Sequence, residues 1–169
     1  AMPIRPKSDT MKVGILATNF PTFSETFVTD HIKALYDCEL DLTVIADGQD
    51  PDAWRSLGEF GQVVKPRVHY FNRPKSNQPG YRWQRLRRLA LMVRKHLRSR
   101  SFTFLKALNL FQFGSTVADL KLPFVYDQAL EIGPVDVLHC HFGSNGILGA
   151  QLKRLGFCKK LVITFHGLD

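Results

Sequence analysis

Acidic side chains are missing from a long middle part of this sequence. Residues 60–118 contain no Asp or Glu, although they carry 13 of the 23 Lys and Arg residues. Acidic residues outnumber basic ones before residue 60, and the two are equal in number after residue 118. A solvated helix surface ordinarily mixes acidic with basic residues, so this distribution predicts that the middle segment faces an anionic partner.

Cysteines are few, and long apolar runs do not occur. Cys38, Cys140 and Cys158 form no CxxC pair and no zinc-finger spacing, which argues against a disulfide scaffold and fits a reduced, intracellular protein. No stretch of 18 apolar residues occurs, which argues against a membrane-spanning helix. Residues 1–10 are polar and lack the apolar core of a signal peptide, so we expect a disordered leader or a cloning remnant there.

Two phosphate-binding fingerprints, GxGxxG and GxxxxGK[ST], are also absent, which argues against a plain dinucleotide-binding or P-loop role. The composition, 44% hydrophobic and 22% charged, is typical of one globular domain. Strand-like apolar runs alternate with helical patterns. The runs are at 12–18, 40–46, 68–71, 136–141 and 160–165, and the helical patterns are at 24–37, 81–100, 102–113, 120–132 and 144–155. This order predicts an α/β fold, a Rossmann-like doubly wound parallel sheet with helices on both faces.

Ligands of such a sheet bind beyond the carboxyl ends of its strands. Three segments, 19–24, 141–145 and 166–169, follow predicted strands and should converge at that edge. Ser24 is predicted to cap the first helix, and Ser24 and Glu25 at the helix N-terminus would favour an anion. Residues 143–146 are interpreted first as a tight loop in which Ser144 or Asn145 caps the next helix, and second as a ligand contact.

Histidines mark the other two segments. His139 and His141 share one face of a strand because side chains alternate with period two. A zinc site would need a third ligand, for which His166 is the obvious candidate, and we expect no metal. His166 follows an apolar strand and precedes Asp169, so its imidazole could exchange a proton or bind a sugar hydroxyl. The alternative is a histidine that fills a polar corner.

Residues 81–100 predict a basic amphipathic helix. An aromatic residue among arginines is typical of a helix that lies on an anionic membrane surface. The residues predicted to contact the membrane are Arg82, Trp83, Arg85, Arg88 and Arg94. A solvated face and a nucleic-acid patch remain as alternatives.

Three segments together, 11–27, 136–143 and 161–169, resemble the amino-terminal lobe of retaining glycosyltransferases of the GT-B, family-four type. The bacterial exopolysaccharide enzymes, including the colanic-acid group, are the most similar in character. The resemblance implies two Rossmann-like lobes, of which the carboxy-terminal one holds the nucleotide sugar. Residues 11–169 would form the acceptor-side lobe with a basic helical insert at about 74–132. No two glutamates stand eight positions apart in this sequence, so we expect that it does not include the donor lobe, which carries such a pair in the family.

The resemblance also implies roles for individual residues. His166 matches a histidine beside the donor sugar and would be catalytic. Ser24 and Glu25 would lie at the rim of the cleft, and His141, Asn145 and Asp169 would bind the substrate. Neither a metal nor another cofactor is implied, because groups of the second lobe stabilise the departing diphosphate.

The function implied is transfer of a hexosyl group from a nucleotide sugar to a glycan or lipid-linked acceptor in exopolysaccharide synthesis. The protein would be cytoplasmic and peripheral on the inner face of the membrane, with no nucleic-acid partner, and the isolated chain would be inactive. The alternative is a non-catalytic basic module that binds nucleic acid or an anionic membrane.

Overall fold

A computed structural model describes residues 10–99 and 102–166 of the chain. Its five strands form one parallel sheet in the order β3-β2-β1-β4-β5. The strands are β1 Lys12–Asn19, β2 Asp41–Gly48, β3 Val68–Tyr70, β4 Val135–His141 and β5 Cys158–Thr164. The predicted leader up to residue 9, and Asp169 with its predicted substrate contact, lie outside the described residues.

Helices connect the strands. They are α1 Thr26–Asp37, α2 Pro51–Ser56, α3 Gly58–Val64, α4 Tyr81–Arg98, α5 Thr103–Lys106, α6 Leu110–Phe113, α7 Ser115–Ala118, α8 Lys121–Ile132 and α9 Gly143–Arg154. The sequence pattern does not predict α2, α3 or α7. It also predicts one helix over 102–113, where the structure has α5 and α6, because the chain is extended at Asn109 and its side chain caps α6.

Each face of the sheet packs against helices, which confirms the doubly wound α/β prediction. On one face, Ile15 and Val44 are fully buried together with Ile32 of α1. On the other face, Leu16 and Leu138 are fully buried in a cluster that includes side chains of α8 and α9. Burial of each such side chain contributes roughly 1.5–3 kcal/mol.

Two glycines allow α9 to lie unusually close to β4 and β5. A Cβ atom added to Gly149 would be 2.4 Å from Cys140 Sγ, and one added to Gly146 would be 2.9 Å from Ile163 Cδ1. Carbon atoms ordinarily approach to about 3.5–4.0 Å. The absence of side chains at these positions therefore sets how near the start of α9 comes to the sheet.

The strand order reverses between β1 and β4, which are neighbours although more than a hundred residues separate them. In doubly wound sheets the ligand crevice lies beyond the carboxyl ends of the strands at this switch point. Here those ends are Asn19 and His141. The topology thus places the candidate site between the loop after β1 and the start of α9.

Candidate functional site

His141 and His166 meet at the switch point. His141 Nδ1 and His166 Nε2 lie 3.0 Å apart, within hydrogen-bond distance. Their rings are nearly parallel, and the ring of Phe27 of α1 contacts that of His166 at a tilt of 33°, with centroids 4.0 Å apart. The start of α1 and the ends of β4 and β5 therefore converge, as the strand-end argument predicts.

Glu25 lies beside this pair, at the position just before α1. Burial raises the pKa of its carboxyl above the usual 4.5, and a charge on His166 opposes that shift. Its Oε2 is buried and has no hydrogen-bond partner among residues 10–99 and 102–166. Buried polar atoms are normally hydrogen-bonded, so this oxygen is free to accept a bond from a ligand.

Ser24 does not cap α1, and that prediction is wrong. Glu25 occupies the cap position, with no side-chain hydrogen bond to the helix, and α1 begins at Thr26. Ser24 is exposed, and its hydroxyl lies 3.2 Å from that of Thr22. Ser24 therefore precedes the cap position by one residue and lies outside the helix.

Asn145 is buried in the first turn of α9, with 1% of its surface exposed. Its Nδ2 donates to Thr18 Oγ1 at 3.1 Å and to the carbonyl of His141 at 2.9 Å. These bonds join the ends of β1 and β4. The predicted contact of Asn145 with a ligand is therefore replaced by a positioning role, since its donors are used within the fold.

His31 of α1 is part of the site and was missed by the sequence analysis. Its Nδ1 lies 3.1 Å from His141 Nε2, and its ring centroid is 4.4 Å from that of His139. The sequence alone indicates His166 as the third partner of His139 and His141. The available signal was the spacing of Phe27 and His31, which places both on one face of a helix.

The imidazoles of this group are held neutral. Burial, together with the repulsion of a second positive charge by neighbouring imidazoles, lowers the pKa of His139 and of His141 to about 4. Burial also lowers the pKa of His31. At neutral pH these rings therefore act as neutral donors and acceptors of hydrogen bonds.

Two of the five predicted membrane contacts are used inside the fold. Arg85 is 8% exposed, and it donates to the carbonyl of Pro74 at 2.8 Å and to Asp119 Oδ1 at 2.9 Å. Arg88 donates to the carbonyl of Asn72 and lies over the ring of Phe124. Arg85 and Arg88 are therefore removed from the predicted membrane surface, because their guanidinium groups have partners within the chain.

The other three predicted contacts, Arg82, Trp83 and Arg94, are exposed. Trp83 has 72% of its surface exposed, and Leu86 and Leu97 on the same helix are about half exposed. The outer surface of α4 is thus apolar along one stripe and cationic beside it. Within the described ranges, no helix combines the length and the apolar character that crossing a bilayer requires.

Comparisons with known proteins agree with the resemblance seen in the sequence. A relative from Salmonella typhimurium, named as a colanic acid biosynthesis glycosyltransferase, is 30% identical over 162 residues. The chain is homologous to exopolysaccharide glycosyltransferases. A protein of the same name from Escherichia coli is 27% identical, and an amylovoran biosynthesis glycosyltransferase from Erwinia amylovora is 26% identical.

Each of these glycosyltransferase relatives is matched along 94% of this chain but only 38% of its own length. The chain thus spans well under half of the relatives that it matches. No family model matches the sequence. No solved structure matches it either.

Proposed function

We propose that this chain is the acceptor-binding lobe of a retaining GT-B glycosyltransferase that acts in exopolysaccharide synthesis. The complete enzyme would move a hexosyl group from a nucleotide sugar to a glycan or a lipid-linked acceptor. Similarity along 94% of the chain to only 38% of each glycosyltransferase relative supports a one-lobe assignment. A second lobe would supply the donor pocket.

The observation that carries the proposal is the polar cluster at the switch point. His166 lies within hydrogen-bond distance of His141, and the unpaired carboxyl oxygen of Glu25 lies in the same region. A sugar presents hydroxyl groups that both donate and accept hydrogen bonds, and these side chains offer the matching groups. His166 is the proposed catalytic residue and Glu25 the proposed substrate contact. His141, predicted from the sequence to bind the substrate, is 3% exposed and has partners on both ring nitrogens, so its proposed role is to position His166.

The proposed reaction requires no metal. Charge that develops on the departing diphosphate would be stabilised by dipoles and basic groups of the donor lobe, which act where the charge forms. This lobe would orient the acceptor hydroxyl against the reacting carbon. Holding the acceptor in this orientation lowers the activation barrier, because the entropy of positioning is lost on binding rather than in the chemical step.

The test for catalysis uses the two-lobed enzyme that contains this chain. His166→Ala should lower turnover by about 100-fold, the scale of a positioned acid, base or hydrogen-bond donor. His139→Ala is the matched control, since it removes a hydrogen bond to Thr164 and should cost about 1 kcal/mol of stability with turnover retained. If His166→Ala lowers the melting temperature but leaves turnover per folded molecule unchanged, the catalytic role is refuted.

A second test concerns the chain alone. Residues 1–169 should transfer no sugar from any nucleotide sugar, because one lobe lacks the groups that hold the diphosphate. Measurable turnover by the purified chain would contradict the proposal that a second lobe supplies the groups that hold the diphosphate.

We also propose that the exposed stripe of α4 places the enzyme on the cytoplasmic face of the membrane. Arg82, Arg87 and Arg94 are exposed on the same helix as the exposed ring of Trp83. Each basic residue close to an anionic lipid surface contributes on the order of 1 kcal/mol, so a few suffice for reversible binding. An apolar ring inserted among the headgroups adds to this attraction.

Vesicle co-sedimentation tests the membrane proposal. Binding should require anionic lipid and weaken above about 0.3 M salt, where the Debye length is only a few Å. Replacing Arg87 and Arg94 with Glu should abolish binding, whereas Lys33→Glu on the exposed side of α1 should not. Equal binding to neutral vesicles would refute the proposal, and tighter binding to single-stranded nucleic acid would favour the non-catalytic basic module.

A further inference from the structure

Three imidazoles, His31, His139 and His141, lie close enough to share one ion. One ring nitrogen from each residue can be chosen so that all three lie within 4.8 Å of one another. The rings of His139 and His141 are parallel, with centroids 4.9 Å apart. His31 approaches them from α1, with its ring inclined at 63° to both. Two secondary-structure elements, α1 and β4, thus bring three imidazoles together.

One nitrogen–nitrogen distance in the cluster is already close to that between two ligands of a zinc ion. His31 Nδ1 and His141 Nε2 are 3.1 Å apart. In a tetrahedral zinc site with Zn–N bonds of about 2.0–2.1 Å, two ligand nitrogens are separated by about 3.3 Å. A movement of a few tenths of an ångström would therefore convert this contact into a pair of metal ligands.

The outer nitrogens of both strand histidines have partners that would hold the rings in place. His139 Nε2 lies 2.7 Å from Thr164 Oγ1, and His141 Nδ1 lies 3.0 Å from His166 Nε2. Metal-ligating histidines ordinarily use their second nitrogen in this way. His139 Nδ1 and His141 Nε2 are left for the interior of the cluster.

The chemistry of the cluster selects the type of ion. The group itself contains nitrogen ligands and no carboxylate, a set that suits Zn²⁺, Cu²⁺ or Ni²⁺ rather than Mg²⁺ or Ca²⁺. His31 and His139 are partly exposed, so an ion in solution can reach the cluster.

We propose that His31, His139 and His141 form a binding site for a divalent transition-metal ion of the Zn²⁺ class. The fourth position of the ion would be taken by water. This site goes beyond the proposed sugar transfer, which needs no metal, and His166 is not one of its ligands.

The experiment measures binding of Zn²⁺ and Co²⁺ to the purified chain in a Cys38→Ser background, because Cys38 is an exposed thiol. Calorimetry gives the stoichiometry and affinity for Zn²⁺, and the visible absorption of bound Co²⁺ reports its coordination number. His31→Ala and His139→Ala each remove one ligand. His69→Ala is the control, since His69 lies on β3, separated from β4 by β2 and β1.

The proposal predicts one Zn²⁺ per chain and a four-coordinate Co²⁺ spectrum. Affinity should fall by about 100-fold in His31→Ala and His139→Ala and stay unchanged in His69→Ala. Thr164→Val keeps all three ligands and should weaken binding by about 10-fold, and circular dichroism establishes that each variant is folded. Equal affinity in the folded ligand variants and the parent chain, or no Zn²⁺ binding at about 0.1 mM, would overturn the proposal.

Discussion

The close approach of α9 to the sheet makes Gly149→Ala the most informative single substitution. The added methyl carbon would lie 2.4 Å from Cys140 Sγ, which is at least about 1 Å closer than an ordinary contact. Leu161 Cδ1, at 2.9 Å, can move aside because it is the end of a flexible side chain. Cys140 is fully buried within β4, so either α9 or the strand must shift.

Two effects of opposite sign decide how far Gly149→Ala changes the free energy of unfolding. Replacing Gly by Ala inside a helix stabilises it by about 1 kcal/mol, whereas overfilling a packed core typically costs 1–3 kcal/mol and occasionally more. The contact is severe, so we place the cost at about 3 kcal/mol and the net loss at about 2 kcal/mol. For a domain of this size that loss lowers the melting temperature by about 4–8 °C.

Urea unfolding of a double-mutant cycle is the assay. Cys140→Ala removes the sulfur atom that the new methyl group meets, so Gly149→Ala should cost about 1–2 kcal/mol less in that background. Ala150→Gly, at the exposed neighbouring position, measures the helix-propensity contribution by itself. If Gly149→Ala raises stability, or costs the same with and without the sulfur, the close packing described here is refuted.

Three further predictions concern buried polar groups. Arg85→Ala should lower the free energy of unfolding by about 2 kcal/mol, because the bonds to the Pro74 carbonyl and to Asp119 are lost, whereas Arg94→Ala should change it by less than about 0.5 kcal/mol. Asn145→Ala should lower the free energy of unfolding by about 1–3 kcal/mol, measured by thermal denaturation. An unchanged melting temperature would contradict the role of Asn145 in joining β1 to β4. The pKa of His139 and of His141 is about 4, below the ordinary 6.5. Between pH 6.5 and pH 4 the unfolded chain therefore binds more protons than the folded one, and the free energy of unfolding should fall as the pH drops through that range. With partial solvent screening the loss should be roughly 1 kcal/mol for each histidine, measured by urea unfolding at about pH 7.5 and about pH 4.5, and equal stability at both would refute it.

Local patterns in the sequence were sufficient for most of the fold. The β-branched run in β1 and the alternation of strands with helices predict a parallel sheet, and the structure has one. Pro123 lies in the first turn of α8, as expected for a residue that lacks a backbone donor. These features depend on neighbours within one or two turns of the chain.

The short helices are harder to predict because each contains too few residues to show a hydrophobic period. In α2 and α3, Ala53 and Val64 are among the few buried side chains, so the hydrophobic period extends over too few residues to be recognised. The boundary of α1 was placed two residues early because Ser24 is a favoured cap residue. In the structure its hydroxyl has Thr22 as a neighbour instead.

The candidate site shows what the sequence by itself determined. Strand-end positions and residue chemistry indicated that His141 and His166 would lie at one edge of the sheet. Both lie there, 3.0 Å apart. This inference succeeded because, in a parallel sheet, the carboxyl ends of neighbouring strands share one edge whatever the details of side-chain packing.

Only the tertiary structure decided which distant side chains complete each cluster. His31 meets His141 across 110 positions of sequence, and Arg85 meets Asp119 across 34. The first contact depends on how α1 packs over β1 and β4, and the second on how α4 lies beside the turn before α8. Hydrophobic periodicity and helix or strand propensity describe one segment of sequence at a time. These contacts depend instead on the relative placement of two segments, which is set by burial of the core between them.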